Sequence, residues 1–527
     1  MQPTSYEKSF RAARRVSAPL VAVRTPDQSA ALIAAVNTLN GERETVPLLH
    51  WDIVEGLTGE NKSGKALAEK LLGGKNPRMV SARPFDALVL IGNLTTEERG
   101  KAIGEDAIIF LKNFHRYWDD TSVVQAVWNL REKLKPAGAM LVMLAKVGAT
   151  LPSEIASDVR VIDQPLPTEQ EIEEIILRTW GDAAEELELS KKPTPEVLAA
   201  AIDALSGLPS FPAEQSGAME LTSKGFNLAG LWEAKRQIIG QARGLSVWRG
   251  DETFADIGGC ENFKKRARQI IAGKKRFRVV VFMDEIEKAV AGTGGETSQT
   301  KTELVGRMLS WMQDKNVRGI LMIGPPGAAK TALAKALANE AGVLTIQFDL
   351  AGMQSSLVGS SNENLEAGLS IVDAVGQGSV LVVGTCNKIK TLPTEFRRRF
   401  TQGSFSCDLP TEEEREKIWA IYLKKFNIDP NMERPDDTDW TGAEIRTCCE
   451  NADDQGISLI ESATYIVPVA IADAAGVKEL REMSTGKFIS ASRPGIYENK
   501  EVFTAASRSS RKFRKSDADV MTRKGEA

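Results

Sequence analysis

The chain has 527 residues, carries 67 Lys+Arg against 71 Asp+Glu for a formal charge of −4, and is 42% hydrophobic and 26% charged. At roughly 100 to 200 residues per domain this length asks for about three to five units, and the composition excludes a collagen-like, disordered or disulfide-scaffold chain. Near-balanced charge gives no whole-molecule field for gathering nucleic acid; five cysteines without a CxxC pair, joined only by His50 and His115, speak against structural zinc and fit unpaired thiols in a reducing, cytoplasmic setting.

The N-terminal SYEKSFRAARRVSAPL is Arg-rich like a transit peptide, but Glu7 and the strand-like LVAVRT that follows make a surface helix the expectation. Residues 19 to 165 alternate the runs PLVAV, RPFDALVLIG, DAIIFLKNF, AMLVMLA and DVRVID with helix-length segments, the pattern of strands in a parallel α/β sheet. From Thr168 to about Gly244 the pattern is helical, with Glu-rich starts such as TEQEIEEIILRTW. A second α/β stretch runs from about Phe254 to Pro410, and a second helical block from Thr411 to about Gly486. The expected division is therefore 1–165, 166–245, 246–410 and 411–487, followed by a basic tail at 488–527 that reads as disordered. No apolar run approaches the roughly 18 to 20 residues of a membrane span. The best two are interrupted by Lys146 and Asp473, so no membrane partner is expected.

An internal echo links the two halves. DQPLPTEQEIEEI, Asp163 to Ile175, matches CDLPTEEEREKI, Cys407 to Ile418, and each follows a similar element, LPSE at Leu151 and LPTE at Leu392. Both copies sit where an α/β part hands over to a helical part. The chain reads as two tandem modules of one architecture, although shared helix-start chemistry would give the same short repeat.

The strongest chemical signal is RGILMIGPPGAAKTALAKALANEAG, Arg318 to Gly342. An apolar strand, a Gly/Pro turn, Lys-Thr and a small-residue helix form the layout of a phosphate-binding loop. Gly324, Pro325, Pro326, Gly327, Ala328, Ala329, Lys330, Thr331 and Ala332 are the expected nucleotide contacts: the N–H groups of the non-proline residues face the phosphates, Lys330 reaches the β- and γ-phosphates, and the Thr331 hydroxyl ligates Mg2+. Ala329 stands where glycine normally precedes the lysine. Its methyl group tightens the turn but leaves the amides, so ATP binding is expected to survive.

Hydrolysis needs a carboxylate pair at the end of a neighbouring strand. Downstream of Lys330, SVLVVGTCN ends in Thr385-Cys386-Asn387 with no acid pair. The pair lies upstream, where RVVVFMDEIEKAVAG ends its strand in Asp284-Glu285. Asp284 suits a magnesium role and Glu285 a base that orients and polarises water. Acids are favoured at any helix N-terminus, but a nearby phosphate loop and Asn387 at another strand end favour the functional reading. Moving a βα unit along the sequence is harmless in a parallel sheet if each functional residue stays at the C-terminal edge of its strand and each crossover stays right-handed.

FADIGG (Phe254 to Gly259), GPPGAAKT, FMDEIEK, GTCN, LPTEFRRRF, CDLPTEEEREKI and TGAEI (Thr441 to Ile445) together resemble the AAA+ ATPases. The order resembles a circularly permuted version. WDIVEGL, FLKNFHRY and GLSVWRGDETFADIGG bring it closest to the AAA+ proteins of chloroplast and cyanobacterial genomes, whose N-terminal half is a degenerate ATPase-like domain. The resemblance covers all but the tail. It implies a P-loop NTPase parallel sheet with a C-terminal helical lid, preceded by a degenerate α/β module with its own helical subdomain. By the same resemblance Asn387 senses the γ-phosphate, Asp256, Ile257 and Gly258 contact the nucleotide, and Gly442 and Ala443 mark the lid contact. Arg398 and Arg399, with Arg397 beside them, resemble arginine fingers acting on the next subunit, and LVGSSNENL from Leu357 resembles a pore loop.

The first module has no Gly-Lys-Thr loop after PLVAVRTPD and no acid pair after FLKNFH, so it is expected to bind no nucleotide and to serve as a scaffold or partner surface. The expected whole is an ATP-hydrolysing, Mg2+-dependent homo-oligomer, a hexameric ring or spiral, acting as a remodelling motor on a protein partner. A nucleotide-gated scaffold without translocation is the alternative. Nucleic-acid remodelling rests only on the tail, with seven Lys/Arg against three acids after Ser507, and on the Arg397–Arg399 cluster.

Overall fold

A computed structural model describes residues 4–95, 97–98, 101–248, 250–290, 296–350, 352–353, 360–388, 390 and 397–499. Leu357, the LPTE segment at 392–395 and the tail beyond 499 lie outside the described residues. The chain divides into two compact units, Met1–Ala242 with Ser355–Ala374, and Arg243–Gln354 with Val375–Ala527.

The first unit opens with the expected helix, Ser5–Arg15. Thr4 and Glu7 close its N-terminus as a capping box, while Tyr6, Phe10 and Ala13 turn inward and the basic residues remain outside. The sheet has six strands: β1 Leu20–Arg24, β2 Leu48–Asp52, β3 Gly56–Gly59, β4 Ile108–Leu111, β5 Met140–Ala145 and β6 Arg160–Asp163. Their spatial order is β3-β2-β4-β5-β1-β6, parallel throughout except for the β2–β3 hairpin. β4 and β5 are buried at every position, as strands covered on both faces must be. RPFDALVLIG corrects the sequence reading, for Pro84–Gly92 is a helix. Pro84 pre-sets the first turn, and Ala87, Leu88 and Ile91 face the core while Val89 is 52% exposed. The continuous apolar run imitated a buried strand, a known ambiguity of short runs. Beyond β6, four helices, Glu169–Ala183, Pro195–Leu205, Ser210–Met219 and Leu228–Gln241, pack around Ile176, Trp180, Leu205 and Leu231.

The second unit carries β7 Leu245–Val247, β8 Val279–Met283, β9 Arg318–Ile323, β10 Leu344–Phe348, β11 Val380–Cys386, β12 Gly403–Ser406 and β13 Ile489–Ser490. Their order is β7-β10-β8-β11-β9-β12-β13, and only β7 runs antiparallel. Helices Glu412–Lys425 and Gly442–Gln455 follow, built around Trp419, Trp440 and Cys448. The start of the expected tail is also corrected. Ile489–Ser490 pairs with β12, Phe488, Ala491 and Tyr497 are buried, and the Tyr497 hydroxyl donates to Asp408 Oδ2 at 2.6 Å. The Ser, Lys and Arg of the residues after 499 set the reading of the whole tail and hide the few apolar anchors at its start. Among the described residues no helix is long and apolar enough to cross a membrane.

The two sheets share a pattern. β2-β4-β5-β1-β6 in the first occupies the same sequence of places as β10-β8-β11-β9-β12 in the second, and each adds an antiparallel strand beside β2 or β10. Among the five shared parallel strands the chain order differs at one: β4 follows β2, whereas its counterpart β8 precedes both β9 and β10.

Candidate active site

Five groups named from the sequence meet at the C-terminal edge of β8, β9 and β11. β9 runs into the Gly324–Ala329 turn, and helix Lys330–Ala341 begins at the lysine. Glycine is required twice in this turn. A Cβ on Gly324 would lie 2.0 Å from the Cys407 carbonyl oxygen, and one on Gly327, where φ is +79°, would lie 2.6 Å from Thr441 Oγ1 and 3.1 Å from Ala443 Cβ. The turn therefore sits between the end of β12 and the start of helix Gly442–Gln455, which brings Thr441 and Ala443 against it, whereas Gly442 faces Ile418. Ala329 adopts the left-handed conformation that glycine would hold without strain.

Lys330 is buried, and its Nζ donates to the carbonyls of Gly324 at 2.9 Å and Pro325 at 2.7 Å. Burial lowers its pKa, opposed by Cys407, Glu287, Asp284 and Cys386. Thr331 Oγ1 lies 3.2 Å from Asp284 Oδ1 and 3.4 Å from Oδ2, so a hydroxyl and a carboxylate stand together beside the first turn of the helix. Those oxygens are the donor set that a hard cation takes.

β11 lies between the acidic strand and the phosphate-loop strand and ties the acids in place. The Thr385 hydroxyl donates to Asp284 Oδ1 at 2.5 Å and accepts from the Glu285 amide at 2.9 Å. Asn387 Nδ2 donates to Glu285 Oε1 at 2.8 Å, and the Asn387 amide donates to Glu287 Oε1 at 2.9 Å. Lys288 pairs with the other oxygen of Glu285, and Glu285 itself is held at φ +46°. Sequence reasoning passed over Thr385 and Glu287. The only signal for Thr385 was a hydroxyl residue inside a run of apolar strand residues, where buried polar groups need partners.

The remaining candidates lie elsewhere. Asp256 is exposed and accepts from the Thr253 amide and hydroxyl, both at 2.8 Å, which hold its carboxyl below the usual range. Ile257 packs in the core with Phe254 and Leu333. Gly258 presses on helix Glu412–Lys425, for a Cβ there would meet Ile418 Cγ1 at 2.5 Å. Arg397–Arg399 precede β12, near the N-terminal ends of β9 and β12 and on the sheet edge opposite Lys330. Arg398 is exposed and Arg399 hydrogen-bonds Gln313.

At the corresponding places in the first unit the chemistry is different. β1 ends in Arg24, locked to Asp163 by bonds of 2.6 and 2.9 Å, and Asp27 caps the next helix by accepting from the Ala30 amide at 3.0 Å. An anionic side chain thus occupies the helix N-terminus that would otherwise attract a phosphate. β4 runs into Lys112 and Asn113 where β8 runs into two acids.

Comparison with known proteins bears on both units. Residues 7–164 match the N-terminal domain of SpoVK-like AAA ATPases, and residues 320–375 match the ATPase family associated with various cellular activities. The second match takes in the phosphate loop but neither Asp284 nor Asn387. An uncharacterized AAA domain-containing protein, ycf46, of Guillardia theta is 22% identical over 93% of this chain and 97% of its own. The ycf46 protein of Trieres chinensis is 25% identical over 75% of this chain and 78% of its own. Fidgetin-like protein 1 of Drosophila melanogaster is 28% identical over 26% of this chain and 35% of its own.

Proposed function

From the premise that the chain carries an AAA+ ATPase domain behind a SpoVK-like N-terminal module, we propose that it is an oligomeric, Mg2+-dependent ATPase of circularly permuted order, acting as a remodelling motor or switch. The observation that carries this reading is the convergence of Lys330, Thr331, Asp284, Glu285 and Asn387 on one sheet edge, although Asp284 and Glu285 lie upstream of the loop in sequence.

The triphosphate sits over the N-terminus of helix Lys330–Ala341, where unpaired amides and the helix dipole favour anions. Lys330 exchanges the carbonyls of Gly324 and Pro325 for phosphate oxygens. Thr331 and Asp284 would hold Mg2+, which would neutralise charge developing on the phosphates. Glu285 accepts a hydrogen bond from the attacking water and takes its proton. Asn387, already bonded to Glu285, links that carboxylate to the γ-phosphate. Arg398 and Arg399 face away from their own site, so they act on a neighbouring subunit in a ring, hexameric by family likeness. The first unit is a degenerate ATPase-like scaffold, a reading supported by Asp27 at its helix N-terminus and by the Arg24–Asp163 lock.

A nucleotide-gated scaffold is the second reading. Glu285 is held by Lys288 and Asn387 at a strained φ, a resting arrangement that must loosen before water is polarised. Steady-state ATPase on the full chain distinguishes hydrolysis from binding alone. Glu285→Gln is expected to lower turnover by about 10²- to 10⁴-fold while ATP still binds. Equal rates in wild type and variant would sink the mechanism.

A further inference from the structure

The β2–β3 hairpin gathers side chains that ATP chemistry does not use. His50 and Asp52 are two apart on β2 and so leave the same face of the strand. Glu55 sits in the turn, Thr58 pairs across from His50, and Glu60 lies just past β3. One ligand atom each from His50, Asp52 and Glu55 lie within 4.8 Å of one another. Glu55 Oε2 is 3.9 Å from Nε2 of the imidazole, and Glu60 Oε2 is 2.8 Å from Nδ1. The ring is only 13% exposed, and its buried Nδ1 has no aligned hydrogen bond.

Each group keeps capacity for an ion. Asp52 Oδ1 accepts from the amides of Val54 at 2.9 Å and Glu55 at 2.8 Å, which fixes the carboxylate to the turn. Its Oδ2 has Lys112 Nζ at 3.9 Å, a loose contact that a closer cation would displace. Three carboxylates, Asp52, Glu55 and Glu60, thus surround one imidazole, with the Lys112 ammonium nearby. Bonds of about 2.0 to 2.2 Å put ligand atoms roughly 3.3 to 4.4 Å apart, so closing the cluster needs side-chain shifts below about 1 Å. The Thr58 hydroxyl, 2.9 Å from Nε2, rotates aside or becomes a neutral fourth oxygen. Imidazole with carboxylates suits a first-row transition ion, whereas Mg2+ prefers oxygen alone.

We propose that His50 Nε2, Asp52 and Glu55 bind a divalent transition-metal ion such as Zn2+, with Glu60 behind the ring accepting Nδ1–H. That carboxylate–histidine–metal relay fixes the tautomer and leaves Nε2 to ligate. The ion clips the hairpin at the edge of the first sheet. Sparse histidine and cysteine speak against structural zinc in the sequence alone, because the carboxylates that complete the set come together only across the turn.

The test uses the full chain, nucleotide-free and chelator-treated. Equilibrium dialysis against Zn2+ expects one ion retained per chain, and Glu60→Gln expects affinity about 10- to 100-fold weaker. The chain has two histidines, so pulsed EPR of Mn2+ added alone is decisive: a ¹⁴N coupling is expected in wild type and His115→Ala and not in His50→Ala. Glu55→Gln, at an exposed turn position that cannot unfold the sheet, expects at least tenfold weaker binding. No nitrogen coupling in the wild type, or Zn2+ affinity unchanged by both Glu55→Gln and Glu60→Gln, overturns the site and assigns any retained zinc to the five thiols.

Discussion

Ala329 holds φ +57° and ψ 12° immediately before Lys330, in a conformation that costs an L-residue about 1 to 2 kcal/mol. Ala329→Gly relieves that strain but adds freedom to the unfolded chain worth about 0.4 to 1 kcal/mol. The expected net gain is about 0.5 to 1 kcal/mol, read as a small rise in Tm of the nucleotide-free protein. A buried ammonium in the first unit gives a second residue-scale expectation. Lys235 is 2% exposed, donates to the Asp203 carbonyl at 2.8 Å and is pushed down from 10.5 to about 7, chiefly by burial. Below pH 7 both folded and unfolded chains carry this proton, and the fold bears the full penalty of a buried charge. Between pH 7 and 10.5 the unfolded state binds more protons, so this group's contribution rises with pH. Lys235→Met therefore gains most over wild type near pH 6, and urea midpoints of the two should converge toward pH 10.

At the scale of elements, the internal echo is a pair of capping boxes with unequal duties. Thr168 with Glu171 and Thr411 with Glu414 start the helices that follow β6 and β12. Glu171 is half-buried and bonds to its own cap residue Thr168, whereas Glu414 is 8% exposed and also accepts from the Cys260 amide at 3.0 Å. Loss of a cap partner costs about 0.5 to 1 kcal/mol, and loss of a buried charge-assisted bond about 1.5 to 3 kcal/mol more. Urea denaturation should therefore find Glu414→Ala clearly more damaging than Glu171→Ala. Equal effects would reduce the echo to helix-start chemistry alone. The same element scale explains the misread helix at Pro84–Gly92, whose apolar run lacked a polar face until the fold exposed Val89 and Phe85.

For the whole molecule, the proposed completion of the site by a neighbour's arginines would make activity a property of the assembly. Chains with Glu285→Gln keep their arginines, and chains with Arg398→Ala and Arg399→Ala keep their base. Each alone should be nearly inactive, the finger variant by about 10³- to 10⁵-fold on the scale of small GTPases. In an equal mixture about a quarter of heterologous interfaces combine an intact site with an intact finger, so steady-state ATPase should recover to about a quarter of wild type. No recovery on mixing would place the arginines outside the reaction.

What the sequence determined by itself is local. The phosphate loop is legible because strand, turn, Lys330 and helix are contiguous and each imposes its own residue types. The acid pair is legible as a strand end, and the α/β-then-helical alternation as periodicity. The β2–β3 hairpin was not legible, since LLHWD does not alternate cleanly and its turn lacks an Asn-Gly or Asp-Gly signal. Tertiary structure decided everything that depends on neighbours in space: that β11 lies between the acidic and phosphate-loop strands, that Thr385 holds Asp284 and Glu285, and that Gly327 is fixed by Thr441 and Ala443. Parallel pairing joins strands far apart in the chain. Which side chain meets which across a sheet edge is set by strand order and register, and no run of consecutive residues encodes either.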